Sequence, residues 1–188
     1  MGFHTFPIDR ADALEDPSRY RFCSREELLE SLGPALANRG GGRVADLGSG
    51  TGFYADDVAP FVETLYAVDV QEEMHERYRE KGVPDAVSFV TAEVAALPFE
   101  DDHLDGAYST MTHHEYASET AFDELARVIK PNGVLVTVDW SADGTGEDGP
   151  SVDERYGLED ACEHLESAGF TIEEARNRPE TFVIVGRR

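Results

Sequence analysis

The 188-residue chain is 40% hydrophobic and carries 39 acidic against 16 basic residues, a formal net charge of −23. Its length and apolar content suit one α/β domain with a sizeable core and exclude a wholly disordered chain. The charge argues against a duplex nucleic-acid partner, because phosphate binding needs a basic stripe. No apolar run reaches the length of a membrane span, and the N-terminal stretch has no signal-peptide pattern.

The acids are spread along the chain rather than gathered in a tail, and Lys81 and Lys130 are the only lysines. Dispersed acidity of this kind predicts adaptation to a salty, halophilic cytoplasm, where salt screens self-repulsion. The two cysteines, Cys23 and Cys162, fit neither a CxxC pair nor zinc spacing. This predicts a reducing, cytoplasmic setting and no metal. Cys162 is expected in the core.

Taken in order, residues 1–23 form an irregular arm, and residues 24–188 a single domain. Ser24-Arg25-Glu26-Glu27 is a capping-box pattern that opens a helix. Gly33-Pro34 stops or kinks it, and Gly40-Gly41-Gly42 leads into the next element. Strands are predicted at 44–47, 64–68, 87–91, 104–109 and 134–140, and helices at 53–61, 71–81 and 120–129. Pro131-Asn132-Gly133 reads as a turn. Residues 141–153 are polar and glycine-rich, a mobile surface loop. A helix at 158–168 and two closing strands at 170–174 and 181–186 complete the chain. Strands alternating with helices imply a mostly parallel sheet covered on both faces, with ligands at the carboxyl ends of its strands.

Three motifs carry chemistry. In Asp46-Leu47-Gly48-Ser49-Gly50-Thr51-Gly52 a strand runs into a glycine turn that lets a ligand approach the main chain. The helix after it would aim its positive end at that ligand, and Asp46 can accept from an ammonium group. The glycines stand at every second position, unlike the dinucleotide fingerprint. Asp69 ends the second strand and can take two ribose hydroxyls. Glu93, after the third strand, can accept from an adenine amino group while Val94 packs on the ring.

VADLGSGTG, LYAVDV, AEVAALPF, LDGAYSTMTHHE and ELARVIKPNGVLVTVDW, in this order, resemble the class I S-adenosylmethionine-dependent methyltransferases. The small-molecule type grouped with the ubiquinone/menaquinone C-methyltransferases is the nearest in character. The resemblance spans residues 24–188. It implies a Rossmann-like, doubly wound α/β fold with seven strands, the last antiparallel, and S-adenosyl-L-methionine as cofactor. By this resemblance Gly48, Gly50 and Gly52 wrap the methionine part and Asp46 lies near its amino group. Asp69 holds the ribose with Val70 beside it as a further cofactor-binding position, Glu93 and Val94 contact the adenine, and Thr110 faces the methionine end. The family commonly has Asp where this chain has Glu93.

The methyl acceptor, a small molecule, would sit beyond the fourth strand. His113 or His114 there is a candidate general base, against a structural role in lining the site. The arm, with Phe3, Phe6, Tyr20 and Phe22, is a candidate cover. No Asn/Asp-Pro-Pro-Tyr/Phe sequence follows strand four, which argues against amino-methylation of DNA bases. Two other readings stand beside the enzyme: a non-catalytic S-adenosylmethionine-binding protein and a nicotinamide-dependent oxidoreductase. A homodimer is compatible with the sequence and not specified by it.

Overall fold

A computed structural model describes residues 5–36 and 42–188. Phe3, Gly40 and Gly41 lie outside the described residues. The chain runs through α1 (Arg25–Ser31), α2 (Gly33–Leu36), β1 (Arg43–Leu47), α3 (Ala55–Val58), β2 (Thr64–Asp69), α4 (Glu72–Lys81), β3 (Val87–Thr91), β4 (Leu104–Thr110), α5 (His113–Tyr116), α6 (Glu119–Val128), β5 (Ile129–Trp140), α7 (Leu158–Ser167), β6 (Thr171–Asn177) and β7 (Thr181–Arg187).

The seven strands make one sheet in the order β3-β2-β1-β4-β5-β7-β6. β7 runs antiparallel between β5 and β6, and the other pairs are parallel. This is the doubly wound architecture expected from the alternation of strands and helices. Strand order reverses between β1 and β4, so the loops leaving their carboxyl ends part there and open a cleft.

The central strands are apolar on both faces, as a parallel sheet sandwiched between helices requires. Val44 packs with Leu28, Leu32, Val58, Tyr78 and Val136 on one face. Ala45 and Leu47 pack with Leu104, Phe122, Leu125, Leu165 and Phe182 on the other. The Ser24 hydroxyl accepts the Glu27 N–H at 3.2 Å and caps α1. Gly33 then starts a second short helix, so the Gly-Pro pair kinks the segment.

Four expectations need correction. The helix after the glycine turn has only four residues and continues as a single 3₁₀ turn, Ala59–Phe61. Its dipole is therefore a minor contributor. β5 starts at Ile129, where the helix ends, and includes the Pro131-Asn132-Gly133 segment. The C-terminus holds that segment: the Asn132 N–H donates to the Arg188 carbonyl at 2.8 Å, and the Arg188 N–H to the Gly133 carbonyl at 3.0 Å. Cys23, rather than Cys162, is the core thiol, and burial pushes it up to about 12.

The 141–153 loop is also pinned rather than free. Buried Arg155 donates to the Pro150 carbonyl at 2.8 Å and the Glu180 carboxylate at 3.2 Å, while Glu180 also takes the Gly146 N–H at 3.2 Å. Among the described residues no helix is long and apolar enough to cross a membrane.

Candidate active site

The glycine turn is tied to β2 as well as to its own helix, where the Asp56 N–H donates to the Gly52 carbonyl at 3.0 Å. The Gly48 and Ser49 N–H groups both donate to the Val68 carbonyl at 2.9 Å. The Gly50 N–H donates to Asp69 Oδ2 at 2.8 Å. Gly48 and Gly52 have φ of +75° and +83°, where a side chain is strained. Space forbids one as well: a Cβ at Gly48 would lie 2.6 Å from Thr112, and one at Gly52 would lie 2.1 Å from the Tyr78 ring. The turn thus exposes backbone because close packing beneath it leaves no room for anything else.

Asp46 and Asp69 stand on either side of this turn. Asp46 is buried, and its Oδ1 has no hydrogen-bond partner; neither has the buried Ser49 hydroxyl. Burial pushes the Asp46 carboxyl up to about 7, reinforced by Asp69 and opposed by Tyr108 and Arg19. Asp69 Oδ1 accepts the Gln71 N–H at 2.9 Å. Burial raises its carboxyl too, and these backbone donors hold the rise down. The Asp69 carboxylate keeps lone-pair capacity for a ligand hydroxyl beyond these backbone donors. Beside it Val70 is 46% exposed, an apolar side chain left open at the cleft.

β3 ends level with β2, and the Ala92 N–H donates to the Asp69 carbonyl at 3.1 Å. Glu93 therefore follows close by, with an exposed side chain that makes no cap bond to the 3₁₀ turn Val94–Ala96. Val94 is buried, packed in the core beneath. Thr110 is buried at the end of β4, paired with Val138. Met111 then turns sharply at φ +61°, its N–H donating to the Val138 carbonyl at 2.7 Å. Thr112 anchors the turn through the Leu47 carbonyl at 2.8 Å.

The two histidines part company on α5. His113 is fully buried among Tyr116, Phe122, Tyr156, His164 and Phe182. Burial lowers its pKa to about 4. Its ring is a core element and is not brought to the cleft. His114 Nδ1 lies 2.9 and 3.0 Å from the two oxygens of fully buried Asp139, whose Oδ2 also accepts the His114 N–H at 2.7 Å. Burial alone would lower His114, but Asp139 overrides it and the net shift is upward. Glu115 Oε1 is 4.0 Å from His114 Nε2. Burial pushes Glu115 up to about 7, reinforced by Asp139 and Asp69 and opposed by His114. Asp139 and Glu115 were not singled out from the sequence. The signal available was an acid one residue before the predicted end of strand five, facing the residues after strand four.

The arm touches the same elements. It forms two 3₁₀ helices, Ile8–Glu15 and Pro17–Arg21. A Cβ on Gly50 would lie 3.1 Å from Leu14. The Glu15 carboxylate accepts from the Thr51 hydroxyl and from Lys81 at 2.9 Å. Gln71, two residues past Asp69, donates to the Phe6 carbonyl at 3.1 Å. Tyr20 packs on Phe53 at 4.8 Å and Phe22 on Trp140 at 4.7 Å.

Residues 45–137 match the family described as a methyltransferase domain. A S-adenosylmethionine-dependent methyltransferase from Aquifex aeolicus superposes with a TM-score of 0.85 at 29% identity, covering 97% of this chain and 98% of that one. The chain belongs to the class I S-adenosylmethionine-dependent methyltransferases. A ubiquinone/menaquinone biosynthesis C-methyltransferase from Ectopseudomonas mendocina is 34% identical over 119 residues, 56% of this chain and 44% of that one. An uncharacterized protein from Mycobacterium tuberculosis is 30% identical over 126 residues, 63% and 46% of the two chains. The chain thus spans less than half the length of these curated relatives.

The methyltransferase site fits the family's cofactor on its own chemistry. Asp46 Oδ1 and the Ser49 hydroxyl are buried polar atoms in want of partners. Buried groups of this kind are costly unless a ligand satisfies them. Asp69 offers lone pairs to a ribose, and open Val70 offers an apolar face beside it.

Proposed function

We propose that this methyltransferase moves a methyl group from S-adenosylmethionine to a small, neutral or cationic acceptor, with His114 as general base. The observation that carries this is the Asp139–His114 pair at the carboxyl ends of β4 and β5, with Nδ1 turned to the carboxylate. That contact favours the proton on Nδ1 and leaves Nε2 as the basic nitrogen. When bound, the cofactor supplies an activated, positively charged methyl donor. His114 Nε2 takes the proton that the acceptor's O–H, N–H or acidic C–H releases, and Asp139 stabilises the resulting imidazolium. Asp46, Asp69, Glu115 and Asp139 make the cleft acidic, which disfavours an anionic acceptor. The turn and α5 hold the partners in line, and such positioning supplies several kcal/mol or more of a barrier.

The net charge of −23 supports a small molecule rather than a nucleic acid as acceptor. The free thiols Cys23 and Cys162 support a reducing cytoplasm. The test is transfer of labelled methyl from S-adenosylmethionine, in molar KCl, to a panel of phenols, enols and amines. We expect labelled product together with S-adenosylhomocysteine. His114→Ala should lower turnover by about 10²- to 10⁴-fold while S-adenosylhomocysteine still binds. Binding without transfer to any acceptor would favour a regulatory S-adenosylmethionine-binding protein. Stabilisation by NAD and not by S-adenosylhomocysteine would refute the assignment.

A further inference from the structure

Arg19, on the second 3₁₀ turn of the arm, is a half-buried cation without a matching anion. Its Nη1 donates to the Leu14 carbonyl at 2.7 Å, and its Nη2 meets only the Met111 sulfur at 3.8 Å. Its guanidinium lies over the Phe53 and Tyr54 rings at 5.0 and 5.1 Å. Among the described residues it makes no ion pair within 4.0 Å. Asp46 and Glu15 act on it only through space, and burial lowers its pKa without removing its charge. A guanidinium presents five donors in a fork that matches a carboxylate. Holding one in an apolar pocket with most of those donors unused is costly unless an anion completes it.

The surroundings say which anion. Met111 follows Thr110 at the end of β4, and Phe53 and Tyr54 follow Gly52. Arg19 therefore stands over the point where the glycine turn and β4 converge, within electrostatic reach of Asp46. A positive group on the arm and a buried acid on β1 form a charge pair that interacts through space without direct contact. An α-amino acid, with its carboxylate and ammonium on one carbon, complements that arrangement.

We propose that Arg19 binds the α-carboxylate of the cofactor's amino-acid end while Asp46 takes its ammonium, so that the arm forms one wall of the cofactor pocket. This rests on the cofactor reading given above. It also makes arm and ligand mutually ordering: binding tightens the arm, and the arm supplies binding energy that the domain from residue 24 onward lacks.

The experiment is calorimetric titration in molar KCl with S-adenosylhomocysteine, its carboxamide counterpart and 5′-methylthioadenosine, on the wild-type chain, Arg19→Gln and Arg19→Lys. Wild type should prefer the acid over the amide by about 10- to 100-fold, the worth of a charge-assisted pair. In Arg19→Gln the preference should shrink to within about threefold, with 5′-methylthioadenosine affinity unchanged. Arg19→Lys keeps the charge without the fork and should fall between. Equal affinities of acid and amide for wild type overturn the proposal. So does an equal loss for all three ligands in Arg19→Gln, which is what a purely structural role produces. If Arg19→Gln does not fold, Arg19→Lys decides: a preference unchanged from wild type overturns the assignment. Failure of S-adenosylhomocysteine to bind wild type at all refutes the cofactor reading instead.

Discussion

Asp69 holds Gly50: one carboxylate oxygen accepts the Gly50 N–H at 2.8 Å while the other accepts the Gln71 N–H at 2.9 Å. The acid assigned to a ribose is therefore also an internal strut that fixes the glycine turn against β2. Removing it leaves two N–H groups at the cleft without their acceptor. Asp69→Ala should abolish the thermal shift given by S-adenosylhomocysteine and should also destabilise the free protein by about 1–3 kcal/mol. Chemical denaturation with and without ligand measures both. A variant as stable as wild type that retains the full ligand shift would show that Asp69 does neither.

The particular residues show how far sequence carries. Val44 to Leu47 and Val134 to Val138 are near-continuous apolar runs, so periodicity and alternation sufficed to place the central strands and to expect a cleft at their ends. Asp46, Gly48, Gly50, Gly52 and Asp69 followed, because backbone geometry at a strand end fixes which residues gather there. His113 and His114 did not resolve. They are adjacent on a four-residue helix, and its rotation about its own axis, set by packing against Phe122 and Phe182, decides which ring enters the core. Arg19 was also illegible. It belongs to an arm without hydrophobic period, and only the tertiary path over Met111 and Phe53 gives it meaning. The closing helix misled differently: Cys162 has helical spacing with Leu158 and Leu165, yet it lies at the margin of the buried stripe.

The Asp139–His114 pair predicts opposite titrations for neighbouring rings. His114 should titrate above the ordinary histidine value and His113 near pH 4, both readable from ring-proton NMR shifts. Asp139→Asn removes the charge that overrides burial, so His114 should then fall below the ordinary value. The same substitution should displace the pH–rate profile and lower turnover without weakening S-adenosylhomocysteine. A His114 titration that Asp139→Asn leaves in place would separate the two residues and remove the base assignment.

Asp46 makes the stability of the free protein depend on pH in a direction opposite to that of a salt-bridged acid. Its carboxyl titrates near pH 7 when folded, against about 4 when unfolded. Between these values the folded state holds a proton that the unfolded state has released. Stability is then fully favoured below about pH 4 and is lost as pH rises toward 7, with a slope of at most about 1.4 kcal/mol per pH unit. Because other acids also titrate, the informative quantity is wild type minus Asp46→Asn, which should fall over this window and level off above it. An ammonium group beside Asp46 favours the ionised form. S-adenosylhomocysteine should therefore bind more tightly as pH rises from 5 to 7, by up to about tenfold per unit, and Asp46→Asn should lose that gain. A parallel pH dependence in both proteins would exclude Asp46 as the group responsible.

Charge sets the last prediction. The chain carries 39 acids against 16 basic residues. Several of the basic groups are already committed to local pairs, such as Arg21 with Asp148 at 2.6 Å and Arg79 with Glu72 at 2.8 Å. Exposed pairs of this kind contribute at most about 1 kcal/mol each and weaken as salt is added. The surplus negative charge acts in the other direction. Its repulsion extends over a Debye length of about 30 Å at 10 mM salt and about 3 Å at 1 M, so molar KCl removes more repulsion than attraction. The melting temperature should rise with KCl from dilute buffer to the molar range. Sodium sulfate would raise it further by strengthening burial of apolar surface, so KCl is the salt that isolates the charge effect. Reversing five exposed acids on α4 and α6 (Glu73, Glu76, Glu80, Glu119 and Asp123, each to Lys) should raise the melting temperature in dilute buffer and flatten the KCl dependence. A melting temperature that stays level or falls with KCl would mean that dispersed acidity is not what limits this fold.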